Sequence, residues 1–150
     1  MVEIFCDTGE IVRVNLDSLI GADLSAKNLH RAQLDGADIS STNFIEADLR
    51  AASLEGAIAV GANFQNASLI AAWAKQADFS NARLAGCRMN CGNFENASFV
   101  GADLTGADID QANICGCDFR GAKLAGATFD QCKFDSDTIW PDAFSPPDST

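Results

Sequence analysis

Residues 97–109 read Ala97-Ser98-Phe99-Val100-Gly101-Ala102-Asp103-Leu104-Thr105-Gly106-Ala107-Asp108-Ile109: a large apolar residue returns every fifth position, with a small one two places before it. Followed outward in both directions, this frame holds over 23 centres from Leu24 to Phe134 without insertion or deletion, and only Ala59 and Ala74 among them are small. The position two before the centre is Ala in 17 of the 23 units. Cys87, Cys117, Cys132, Thr42 and Gly92 fill five others, and Lys27 is the one bulky occupant. A period of five fits neither the 3.6 of a helix nor the 2.0 of a plain strand. It fits a short extended piece followed by a turn. The centre and the small residue two earlier then share one side and point inward, while the residue between them faces out. Ten of the 12 glycines fall two residues after a centre, and Asn66, Asn81 and Asn96 share that slot. A type II turn requires a positive φ there, which Gly and Asn tolerate. Four such units close a square coil of 20 residues.

Units such as Ala22-Asp23-Leu24, Ala47-Asp48-Leu49, Ala62-Asn63-Phe64 and Ala102-Asp103-Leu104 resemble those of the pentapeptide-repeat family, over about residues 17–139. The resemblance implies an all-β fold, a right-handed quadrilateral β-helix solenoid of about six coils. At ~4.8 Å per strand the rod is about 29 Å long. Stacking at a period of 20 gives four inward columns. Three begin at Leu24, Leu29 and Leu34; the fourth runs Leu19, Ile39, Ala59, Phe79, Phe99, Phe119, Ile139. Ala59 lies beneath Phe79 and Ala74 beneath Phe94, so those rings are expected to lean over and fill the gaps. Solenoid ends need covers. Alternating apolar residues around Asp7-Thr8-Gly9 predict a β-hairpin cap within residues 1–16. Repeats fill 17–139. Ile139, Trp140, Pro141 and Phe144 supply apolar bulk after the last coil, with the C-terminal cap and tail at 140–150, and Ser145–Thr150 is expected to fray.

Composition bounds the function. The chain has 150 residues and a net charge of −11, from ten basic and 21 acidic side chains. That balance argues against nucleic acid or an anionic membrane as a direct partner, since both require Lys and Arg. No 18-residue apolar run is present. The segment Met1–Asp7 does not read as a secretory signal, and a cytoplasmic location is expected. With one histidine and no tyrosine, catalytic vocabulary is thin. His30 falls at an exposed corner, near Asp48 and Arg50 of the next coil, without a nucleophile. Cys91 and Cys115 sit at outward corners, and no two cysteines outside the cap lie 20 residues apart. Free thiols are expected, and Cys115-x-Cys117 lacks zinc spacing. No cofactor, metal site or enzymatic activity is expected, because a convex rod offers no cleft. Lys27, in an inward slot, either meets Asp17 beneath the cap or snorkels from the open end.

The surface carries the informative pattern. One rod edge collects Asp35, Asp38, Glu55, Asp78, Glu95, Asp118, Asp135 and Asp137, interrupted by Lys75 and flanked by Arg120. Another side mixes Asp48, Arg50, Arg88, Asp108, Asp110 and Asp130. Each small centre follows a large apolar residue, Ile58 before Ala59 and Trp73 before Ala74. Ile45 and Ile70 also face out. Ile58 and Trp73 are then either an exposed contact patch or a local bulge turned partly inward. The expected role is a non-enzymatic protein-interaction or structural scaffold: a rigid acidic rod with a protein partner, and with ends open to end-to-end homo-oligomers. The resemblance also implies an alternative, a DNA mimic that binds DNA gyrase. Gyrase-protecting members generally carry loops that break the repeat, whereas this frame is unbroken.

Overall fold

The corners of the repeat turn through left-handed residues: all 23 positions spaced by five from Gly21 to Gln131 have positive φ. The carbonyl of each centre from Leu24 to Phe129 accepts from the N–H three residues on, as Leu29 does from Ala32 at 2.9 Å. That bond, with positive φ at the third residue, is the type II turn the glycine spacing predicts. Ten of the corners are Gly. The others include Ala26, Arg31, Glu46 and Gln76, which hold the same conformation against a side-chain penalty.

The computed structural model describes residues 1–148. Between corners, parallel bridges join residues 20 apart, as in Asp23, Asn43, Asn63, Arg83, Asp103, Lys123 and three sister columns. Each rung is closed from both sides: Asn43 N–H donates to Ala22 C=O, and Leu24 N–H donates to Asn43 C=O, both at 2.8 Å. The result is a four-sided β-helix with a single apolar interior. Phe79, Phe99 and Phe119 stack face to face at 5.1 Å spacing, an arrangement worth about 1 kcal/mol per pair beyond burial. Above the small centres, Phe79 meets Phe64 and Phe94 edge-on at 5.7 and 6.2 Å. The rings reach across the core there.

Polar residues in the small inward slot satisfy themselves on the coil before. Thr42 Oγ1 donates to Leu19 C=O at 2.6 Å, and Cys117 Sγ to Phe94 C=O at 2.9 Å, each 23 residues back. Thr138 Oγ1 does the same to Ile114 C=O, but 24 residues back. One extra residue has entered the last coil. It sits in the turn Asp135-Ser136-Asp137, where Asp135 Oδ1 accepts the N–H groups of Gly116, Asp137 and Thr138 at 3.0, 3.1 and 3.1 Å. The frame therefore slips. Ile139, placed by the sequence pattern in the fourth inward column, instead faces outward and bridges Asp118. Trp140 takes the inward place and stacks on Phe119. Burying the indole removes more apolar surface from water than burying Ile139 would.

At the opposite end, β1 (Val2–Phe5) and β2 (Ile11–Val14) form the predicted hairpin. Ile4 and Val14 are buried against the first coil, and Cys6 bridges Ala32 in antiparallel sense. Lys27 keeps its backbone in the ladder, and its side chain is exposed. The Lys27–Asp17 pair does not form; the Asp17 carboxylate lies in solvent, 4.0 Å from the N-terminal ammonium. Of the tail expected at 145–150, Ser149 and Thr150 lie outside the described residues.

Candidate interaction surface

The outward position of each unit is rich in Asp and Asn for a local reason. Its side-chain oxygen accepts the backbone N–H two residues on and so holds the start of the corner. Asp38 accepts from Ser40 at 3.1 Å, Asp78 from Ser80 at 2.9 Å and Asp118 from Arg120 at 3.0 Å. Much of the net negative charge therefore serves the turns. The hydroxyl and backbone N–H of Ser40 hold the Asp38 carboxyl below its ordinary value, and the Arg120 guanidinium does the same for Asp118.

The acidic edge separates into two halves once partners are assigned. Toward the C-terminus, Asp118 is paired with Arg120, and Glu95 lies 3.7 Å from Lys75 Nζ. Asp135 is committed to the frame slip. Toward the N-terminus, Asp35 accepts the Glu55 N–H at 2.8 Å and the Ser53 hydroxyl at 2.5 Å. Asp35, Asp38, Glu55 and Asp78 enter no ion pair among the described residues. Ile58 sits in the ladder directly between Asp38 and Asp78, and Trp73 stands above Ser53 on the adjoining face.

Both apolar residues are exposed, Trp73 at 58% and Ile58 at 43%. Their bridges are regular, so the alternative of a bulge turning them inward does not hold. Ile45 and Ile70 are half-buried. The structure thus brings Asp35, Asp38, Glu55, Asp78, Ile58 and Trp73 to one edge, with Glu95, Asp118 and Asp135 farther along it.

Three recesses lie elsewhere on the rod. Cavities of 470 and 310 Å³ lie at the C-terminal end, around Phe129, Cys132 and Phe144 and around Leu124, Pro141 and Phe144. A smaller depression of 220 Å³ on the mixed-charge side is lined by Asp48, Arg50, Ser68 and Arg88. Its Arg50 is clamped to Asp48 at 2.8 and 2.6 Å. His30 is half-buried, its backbone N–H bonded to Asn28 Oδ1. Cys91 is exposed; Cys115, expected to face outward, is half-buried. The sequence pattern missed the outer face of the hairpin, where Phe5 and Ile11 are exposed. The signal was present, since Phe5 breaks the alternation by making both faces of β1 apolar. Among the described residues no helix is long and apolar enough to cross a membrane.

Comparison with known proteins agrees with the geometry. The family model for pentapeptide repeats matches in eight copies, over residues 18–50, 47–82, 77–114 and 97–135. Among solved structures the chain is similar to alr5209, a pentapeptide repeat protein from Nostoc PCC 7120. Identity is 30%, with 65% of this chain and 77% of that one covered, at a TM-score of 0.56. It is also similar to HetL, a pentapeptide repeat protein involved in heterocyst differentiation regulation, from Nostoc sp. strain PCC 7120. There identity is 20%, coverage 85% and 88%, and the TM-score 0.41. Full-length QnrB1, a plasmid-mediated fluoroquinolone resistance protein, matches at 18% identity, with 79% and 92% covered and a TM-score of 0.22. No curated protein matched. With its repeats matched from residue 18 to residue 135 and its four-sided coil, the chain belongs to the pentapeptide-repeat family.

Proposed function

We propose that the chain is a non-catalytic interaction rod. Its working surface is the N-terminal half of the acidic edge: Ile58 and Trp73, ringed by Asp35, Asp38, Glu55 and Asp78. The observation that carries this reading is the exposed Ile58 between Asp38 and Asp78, with Trp73 beside it. The coil does not need a large apolar residue at either outward place, because the other units fill it with polar ones. Exposed aromatic and aliphatic side chains set among acids suit a protein surface that is apolar at its centre and basic at its rim. The rigid ladder holds these groups at fixed spacing, so little ordering cost is left for binding.

Capture from an extract of the source organism, with the intact chain and with a Trp73→Ala/Ile58→Ser double variant in parallel, tests this. A partner retained by the first, lost by the second and released by salt supports the reading. A partner held equally by both overturns it. Inhibition of gyrase supercoiling by purified protein at micromolar concentration, unaffected by the double variant, would put DNA mimicry in its place.

A further inference from the structure

The sheet formed by β1 and β2 has one edge that the fold leaves open. Their register pairs Val2 with Val14, Glu3 with Arg13, Ile4 with Val12 and Phe5 with Ile11. Cys6 N–H donates to Glu10 C=O at 3.0 Å, so the hydrogen-bonded pairs of this antiparallel ladder fall on the even residues. The N–H and C=O groups of the odd residues point away from the hairpin. On β1 that outer edge is engaged at its C-terminal end, where Phe5 C=O accepts Gln33 N–H at 2.8 Å and Asp7 N–H donates to Arg31 C=O at 3.1 Å. On β2 the outward groups belong to Ile11 and Arg13. Among the described residues no backbone hydrogen bond outside the hairpin engages them.

The edge is short and carries one charge, Arg13, but lacks the other usual protections. β2 contains no proline, and the charge of Arg13 is met by Glu3 at 3.0 Å. On the outer face Ile11, at 39% exposure, stands on the edge strand beside Arg13, and Phe5, at 51%, lies behind it on β1. A two-stranded sheet with one free edge is an unfinished element.

We propose that this edge is completed by β2 of a second copy of the chain. An antiparallel strand pairing with itself is self-complementary about a two-fold axis. With the axis at Val12, Ile11 of each copy exchanges both backbone hydrogen bonds with Arg13 of the other, about four in all. The two hairpins become one four-stranded antiparallel sheet. Its outer face sets Ile11 beside Arg13 of the second copy and Phe5 beside Ile11, while Glu3 stays on the outer strands. No like charges are opposed. This surface is separate from the Trp73 edge and does not depend on the reading above.

Light scattering on the full chain, from about 1 µM to about 1 mM, follows the association. A concentration-dependent dimer is expected. Ile11→Lys places a second cation against Arg13 of the other copy and weakens association at least tenfold. Ile11→Glu, equally polar but opposite in sign, retains it. Arg13→Pro removes an outward N–H without touching the hairpin's own bonds and abolishes the dimer, whereas Arg13→Ala keeps the N–H and the dimer. A chain that stays monomeric throughout overturns the proposal. So does equal weakening by Ile11→Lys and Ile11→Glu, or a dimer that Arg13→Pro leaves intact. Ile11 is exposed, so its two variants keep the test valid if the proline variant fails to fold.

Discussion

Trp140 lies flat on Phe119, with ring centroids 5.4 Å apart and planes 11° from parallel, and it also meets Phe129, Phe134 and Phe144 within 5.5 Å. One indole therefore finishes the aromatic column that Phe79, Phe99 and Phe119 build. Without it, the last coil would end on exposed rings.

Trp140→Ala removes that plate and leaves Phe119 and Phe129 facing water. A loss of about 2–3 kcal/mol is expected, below the figure for a fully buried aromatic because Trp140 is half-buried. Trp140→Phe, which keeps a stacked ring, loses less than half as much. Urea denaturation reads both variants. A Trp140→Ala variant within about 0.5 kcal/mol of the parent would mean that the column ends at Phe119.

The slip before Trp140 makes the C-terminal end acid-sensitive. Asp135 is held below its ordinary value of 3.8, chiefly by the Gly116 N–H, with Thr138 and Asp137 adding to it. Asp103 is lowered chiefly by the Thr105 hydroxyl, and Asp48 by the Arg50 guanidinium. A carboxyl whose folded value lies below its unfolded one contributes stability that is complete above the unfolded value. That contribution is lost as pH falls through the folded one. The melting temperature should therefore hold level above about pH 5 and fall from pH 4 downward. Asp135→Asn keeps an acceptor oxygen but no charge to protonate, so its acid limb should be shallower than the parent's. Parallel limbs would show that Asp135 contributes nothing to the linkage.

The repeat was legible because each structural demand has its own residue type. Inward centres need bulk, the slots two earlier need small side chains, and corners need positive φ, so Leu24 to Phe134 could be threaded from spacing alone. The end at Ile139 was not. Ile139 is apolar and in frame, and only the competition between its burial and that of Trp140, settled by the Asp135 turn, decides the register. For the candidate surface, spacing gathered Asp35, Asp38, Glu55 and Asp78 on one edge. It did not show that Arg120 and Lys75 neutralise the far half, because such pairings depend on side-chain reach. Nor did it decide whether Ile58 and Trp73 were exposed, since an outward position and a bulge share one pattern.

Thiol reactivity should follow the same geometry. Cys91 is exposed at a corner, its Sγ 3.8 Å from Gln111 Oε1. Burial, then the charge of Asp135, raises the Cys115 thiol, and burial pushes Cys132 up to about 11. Burial also raises Cys87 and Cys117. Since the thiolate is the reactive form, a maleimide at pH 7 should label Cys91 first and Cys115 more slowly. The buried thiols should label only after unfolding. Mass spectrometry of a labelling time course checks the order; early modification of Cys87 would contradict the closed coil.

Gly92 and Ala71 should respond in opposite directions to exchanging Gly and Ala. Gly92 occupies an inward slot with no positive φ, so its backbone does not require glycine. Space does: an added β-carbon would overlap the Phe94 ring and come 3.0 Å from Met89 C=O. Phe94 already reaches across the core beside Phe79 and Phe99, so it has little room to yield. Gly92→Ala should cost about 1–3 kcal/mol. Ala71 is the converse, an exposed corner residue at φ 56°. Its left-handed conformation costs about 1–2 kcal/mol for an L side chain. Glycine removes that cost but brings about 0.5–1 kcal/mol of extra chain entropy to lose. Ala71→Gly should therefore stabilise by about 0.5–1 kcal/mol. Paired urea midpoints separate the two mechanisms. Destabilisation by both substitutions would show that flexibility, rather than corner strain, dominates at Ala71.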